Sequence, residues 1–186
     1  STSRLSIHIP HDTAGFPRKY WEKAHTRIAL QNYVTIQFCR QADAFSFKAK
    51  GSGKSGLLTV SRPGQEVLER TACSFEKDKI VVRFQAGFPA NGRTINAREL
   101  ERILFDFLPQ CVSRACCYRN LPAKAIEEVF CLAEDQEYIR TQLPLLHLTA
   151  FVADGSILPR KSGASDLPMK DGIPFVTPPS LAVTLN

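Results

Sequence analysis

Ile80-Val81-Val82-Arg83-Phe84-Gln85-Ala86-Gly87-Phe88 carries the clearest structural signal in the chain. Side chains alternate across a strand, so Ile80, Val82, Phe84, Ala86 and Phe88 share one face while Val81, Arg83 and Gln85 share the other. The first face is apolar throughout and needs a covering layer. The second carries polar groups, the pattern of an antiparallel sheet packed on one side only. Lys77-Asp78 reads as the turn that enters this strand from residues 66–75. Pro63-Gly64, with Pro at i+1 and Gly at a position of positive φ, reads as the turn between 66–75 and a first strand at 57–62. The expectation is a three-stranded antiparallel meander whose polar face is a candidate binding platform.

Helical periods flank this sheet. Leu5, Ile7 and Ile9 alternate with Ser6 and His8, a short strand ending at Pro10. Pro17 then suits a first helical turn, and Trp21, Ala24 and Ile28 recur at helical spacing, with Arg18, Lys19, Lys23 and Arg27 on other faces. The end of that helix is open between Leu30 and Arg40, because Asn32 to Phe38 is rich in β-branched and aromatic residues. Asn96 reads as the cap of a helix with Leu100, Ile103, Leu104, Phe107 and Leu108 on one stripe, interrupted or kinked at Pro109. A second helix starts near Pro122, turns Ile126, Val129, Phe130 and Ala133 inward, and ends before Pro144. Residues 145–153 form an apolar, strand-like run closing at Asp154-Gly155, and Leu181, Val183 and Leu185 alternate like a last strand. The predicted class is α+β, an antiparallel sheet packed against helices. One domain spans 1–158, with a Pro/Gly-rich linker and strand at 159–186.

With 186 residues, 44% apolar and 23% charged, the chain is composed like an ordinary globule rather than a disordered segment. No apolar run is long enough to span a bilayer, so no membrane anchor is expected. Residues 1–62 hold 10 Lys and Arg against 3 Asp and Glu, a balance of +7, whereas residues 63–186 hold 14 against 15. Such a concentration of positive charge favours a phosphate-bearing partner. The six cysteines, at 39, 73, 111, 116, 117 and 131, form no C-x-x-C pair and have no histidine beside them. They read as reduced, buried thiols of a protein in a reducing, intracellular compartment, not as a disulfide scaffold or a zinc site.

Gly51-Ser52-Gly53-Lys54-Ser55-Gly56 imitates a P-loop, but the position that needs the first glycine is Lys48. Lys48, Lys50 and Lys54 still suit contact with phosphate. Ser74 with Lys77 satisfies S-x-x-K but ends a strand instead of opening a helix, and the four histidines are too scattered for a metalloenzyme motif. No catalytic constellation emerges, and no metal site. The loops 87–95 and 154–163 present Arg93, Arg160 and Lys161 together with backbone amides. Phe45, Phe47 and Tyr118 are the candidate aromatic rings for base stacking.

Four separated segments carry a family resemblance: Gly64-Gln65-Glu66-Val67-Leu68-Glu69-Arg70-Thr71; Val82-Arg83-Phe84-Gln85-Ala86-Gly87-Phe88-Pro89-Ala90-Asn91-Gly92-Arg93-Thr94-Ile95; Glu134-Asp135 before Arg140; and Ala150-Phe151-Val152-Ala153-Asp154-Gly155-Ser156-Ile157-Leu158-Pro159-Arg160-Lys161-Ser162-Gly163. In this order they resemble the N-terminal domain of the predicted ATPases of the ABC class. That resemblance implies a longer protein, in which this domain precedes an ABC-type core beyond Asn186 that binds ATP and magnesium and dimerises. Resemblance to the kinetoplastid mitochondrial RNA-binding-complex branch implies a mitochondrial location, RNA editing and RNA binding as well. The function expected is that of an accessory RNA-binding domain of low sequence specificity, in which Lys48, Lys50, Lys54, Arg70 and Arg83 contact phosphates. Arg93, Arg160 and Lys161 are expected to contact phosphates or the ATPase core. The alternative is a protein-interaction module that docks the core or forms an oligomer without nucleic acid.

Overall fold

In the computed structural model, which describes residues 2–44 and 57–184, the alternating segment forms β4 (Lys79–Ala86) at the centre of the sheet. β1 (Ser3–Pro10) lies antiparallel along the whole of it, from Ser3 opposite Ala86 to Pro10 opposite Lys79. The other edge of β4 is shared end to end: β3 (Cys73–Phe75) pairs with Val82 to Ile80, and β2 (Leu58–Thr59) pairs with Ala86 and Gln85. The class is α+β, as the alternation predicts. The strand order departs from a meander, because β2 and β3 pair with β4 and not with each other. Pro63 has no N–H to give a ladder, and Glu66, Glu69 and Arg70 break the apolar alternation, so residues 60–72 run outside the sheet.

Residues opposite each other in an antiparallel pair share a face. Leu5, Ile7 and Ile9 therefore join Phe84, Val82 and Ile80 on the inner face, where Ile80, Val82 and Phe84 are at most 4% exposed. The layer covering them is α2 (Ala24–Ala44), which buries Leu30, Val34 and Phe38; the Phe38 and Phe84 rings lie 5.8 Å apart. Pro17 opens only a 3₁₀ turn, Arg18–Tyr20, and the long helix starts seven residues later than Pro17, at Ala24. It then runs straight through the β-branched stretch. Val34 and Phe38 are fully buried and the Thr35 hydroxyl donates to the Gln31 carbonyl at 2.7 Å, so burial overrides a weak helix propensity. A short helix, α1 (His11–Ala14), links β1 to this layer. His11 stacks on Trp21 with centroids 4.3 Å apart, and its Nε2 donates to the Glu76 carbonyl at 2.7 Å.

After β4, a small hairpin of β5 (Ala90–Asn91) and β6 (Thr94–Ile95) turns at Gly92, whose φ of +64° suits glycine. α3 (Ala97–Glu101) is capped as expected, the Glu99 N–H donating to Asn96 Oδ1. A π-helical stretch, Arg102–Phe107, leads directly into α4 (Leu108–Cys116). Pro109 accounts for that widening: it lacks an N–H and its ring crowds the carbonyl four residues back, both of which a wider turn relieves. α5 (Ala123–Leu145) buries Ile126 and Ala133 against α2. The strand predicted at 145–153 does not form. Residues 146–178 contain turns and one isolated bridge, Arg160 to Pro168. The last predicted strand is replaced by a 3₁₀ turn, Pro179–Leu181, and Leu185 lies outside the described residues.

Five cysteines, 39, 73, 111, 116 and 117, are buried free thiols, and Cys131 is exposed. Burial pushes the Cys73 thiol up to about 12 and Cys111 to about 11, with Cys116 also raised well above its ordinary value. In the unfolded chain these groups ionise near 9.0. A raised acid pKa favours the folded state only while the unfolded thiols are protonated, so stability falls as pH climbs from about 9 toward 12. Urea midpoints at pH 8 and pH 10 will show this fall, and a thiol reagent will label Cys131 alone until denaturant exposes the other five. Phe38→Ala is expected to remove about 3–5 kcal/mol of stability in the same denaturation assay.

Candidate nucleic-acid interface

The ladder that buries one face of the sheet also collects polar side chains on the other. Arg4 lies opposite Gln85, Ser6 opposite Arg83, and Thr59 opposite Gln85, so all five share the open face. Val81 belongs to this face and is buried there, flanked by His8 of β1 and Ser74 of β3. Residues 60–72 rise beside the sheet because they cannot join it, and they bring Ser61, Arg70 and Thr71 to the same place. The result is an open groove of about 650 Å³ with three arginines, Arg4, Arg70 and Arg83, around it.

Each arginine is held differently. Arg83 donates through Nη1 to the Thr71 carbonyl at 3.0 Å and to Ser74 Oγ at 2.8 Å, and through Nη2 to Glu76 at 3.2 Å. That leaves its Nε and one further N–H for a ligand. Arg70 donates Nη2 to Glu66 at 3.0 Å, while its buried Nε has no partner. The Glu66 carboxyl is held below its ordinary value, first by its own backbone N–H and then by Arg70. Arg4 makes no hydrogen bond or ion pair through its side chain among the described residues. A site with fixed and unfixed guanidinium groups beside hydroxyls at Ser6, Thr59 and Thr71 is chemically suited to oxygen anions, phosphate above all.

Of the residues singled out in the sequence, Arg70 and Arg83 meet in this groove. Arg93 sits exposed in the β5–β6 turn. Arg160 and Lys161 are exposed on a loop closed by the Lys161 N–H to the Leu167 carbonyl, 2.9 Å. That loop reaches the turn below Arg70: a Cβ on Gly64 would fall 2.5 Å from Asp166 Oδ2 and 2.8 Å from Glu66 Oε2. Lys48, Lys50 and Lys54, with Phe45 and Phe47, lie outside the described residues. Tyr118 is no exposed platform, since it packs on Phe16 and Tyr20 at the edge of the core. Sequence reasoning misses Arg4. Its signal is present in the polar half of the Leu5-Ile7-Ile9 alternation, but only the pairing with β4 gives that half a destination.

The profile of the ATPase of the ABC class N-terminal family matches residues 1–119, and that of the ABC ATPase P-loop domain matches residues 122–186. No curated protein matches the chain. Among the described residues no helix is long and apolar enough to cross a membrane. The first match covers well over half of the sequence and includes the sheet, α2 and all three arginines of the groove, and on that ground the chain belongs to the N-terminal domain family of the ABC-class ATPases.

Proposed function

We propose that this domain is the accessory RNA-binding part of an ABC-class ATPase, and that single-stranded RNA lays its phosphates in the groove on the open face of the sheet. The observation that supports this reading is the convergence of Arg4, Arg70 and Arg83 from three separate parts of the chain. Contacts of this kind hold a strand without reading its sequence, so affinity is salt-dependent and specificity low. In this reading the binding and hydrolysis of ATP with magnesium, and dimerisation, are the work of the P-loop core of the parent protein, and a mitochondrial place in RNA editing goes with the RNA-binding role. A second reading, docking to the ATPase core, is favoured by one observation. Leu158, Ile173 and Val176 are 61%, 88% and 76% exposed in a segment matched by the P-loop profile.

A salt titration with labelled single-stranded RNA separates the two. Three phosphate contacts predict a log–log slope of about −2, since each contributes about −0.7 on a single strand. Arg4→Glu and Arg70→Glu should each weaken binding several-fold and flatten that slope, whereas Lys124→Glu, at a side chain 91% exposed on α5, should leave both unchanged. A slope near zero, or equal losses in all three variants, would favour the docking module.

A further inference from the structure

Residues 159–169 fold back on themselves as a hairpin. The Arg160 to Pro168 bridge joins its arms, with the Lys161 N–H donating to the Leu167 carbonyl at 2.9 Å and the Met169 N–H donating to the Pro159 carbonyl at 2.8 Å. This hairpin lies in the part of the chain matched by the P-loop profile, whereas the arginine groove lies in the part matched by the N-terminal one. The two meet at Gly64. Its backbone has no positive φ, so the turn itself does not call for glycine. Space does, because Asp166 Oδ2 and Glu66 Oε2 stand 2.5 and 2.8 Å from the point that a Cβ would occupy. The Asp166 carboxylate makes no hydrogen bond or ion pair among the described residues. Glu66 has its other oxygen, Oε1, on Arg70 Nη2 at 3.0 Å. One carboxylate is thus held between an arginine of the groove and an unpaired carboxylate of the hairpin.

Resting on the RNA reading above, we infer that the 159–169 hairpin is an autoinhibitory latch on the arginine groove. A phosphate that reaches Arg70 has to move Glu66 off it, and the space beside Gly64 into which that carboxylate could swing already holds Asp166. Asp166 also sets a like charge next to Glu66, which presses it back onto Arg70. Both effects weaken phosphate binding while the hairpin is docked. The coupling is reciprocal: a phosphate on Arg70 drives Glu66 toward Asp166 and loosens the hairpin by the same factor. The segment matched by the P-loop profile therefore adjusts the affinity of the groove without touching the ligand. Glu66 and Asp166 are both exposed, so the effect is modest and salt screens it.

Affinity of the whole chain for labelled oligouridylate at low salt tests the latch. Asp166→Asn keeps the size of the side chain and removes its charge, and is expected to tighten binding about threefold, an advantage that fades at high salt. Asp171→Asn makes the same change of charge at an exposed position outside the hairpin and should leave affinity unaltered. Hydrogen exchange reads the reciprocal effect: bound oligouridylate should quicken exchange of the Lys161 and Met169 amides, and Asp166→Asn should cancel that change. Wild-type affinity in Asp166→Asn, or equal gains in the two variants, overturns the latch and leaves the RNA reading standing. Slower exchange at Lys161 with the strand bound also overturns it, since the strand then covers the hairpin. No binding by the wild type or by either variant sinks the RNA reading itself.

Discussion

The ladder between β1 and β4 is the constraint from which the rest of the molecule follows. Eight residue pairs fix the register, and a slip by one residue would turn Leu5, Ile7 and Ile9 to solvent and Arg4 and Ser6 into the core. Because that exchange is prohibitive, the same pairing that seals the inner face against Leu30, Val34 and Phe38 places Arg4 and Arg83 together on the outer one. Core and candidate site are therefore two sides of one geometric decision. A strand has only two edges, so once β1 takes one, β2 and β3 must divide the other, and the chain between them is displaced to form the wall that carries Arg70.

The two family matches meet between residues 119 and 122, yet the hydrophobic core does not stop there. Leu121 and Ile126 are buried in the same cluster as Ile80 and Phe38. Around that contact, Glu127 accepts from Lys19 and from the Tyr20 hydroxyl, and Glu134 pairs with Lys23 and His25. Exposed ion pairs of this kind fix orientation more than they stabilise, so apolar burial holds α5 in place and the pairs set its rotation. The first helix of the P-loop match thus moves with the N-terminal domain, which gives whatever binds the domain a rigid handle on the segment that follows.

Features set by neighbours along the chain are legible in the sequence itself. The two faces of β4, the Asn96 cap, the disturbance ahead of Pro109 and the limits of α5 to within two residues all depend on residues fewer than five positions apart. Features set by partners distant in the chain are not. The β-branched run 32–38 looks like a strand locally and becomes helix only because the sheet needs Val34 and Phe38 above it. Likewise 145–153 is apolar and strand-like in sequence, yet it pairs with no strand of the sheet. Arg4 is hidden for the same reason, since its companions in the groove are more than fifty residues away.

The three arginines also differ in what binding would cost them. Arg83 is held on a carbonyl, a hydroxyl and a carboxylate, so its rotamer entropy is already lost on folding and its free N–H groups are aimed before a ligand arrives. Arg4 is unrestrained and must lose that freedom on contact, but it has no carboxylate to give up. Arg70 stands between them: its Glu66 partner is 52% exposed at the side chain, so a phosphate displaces it into water and not into a low-dielectric interior. In the proposed binding mode Arg83 is the anchor, Arg70 the reinforcing contact and Arg4 the adjustable one. That order is what the proposal requires of a groove whose counter-charges nearly balance its cations: the fixed N–H donors, not the net charge, would carry a preference for phosphate.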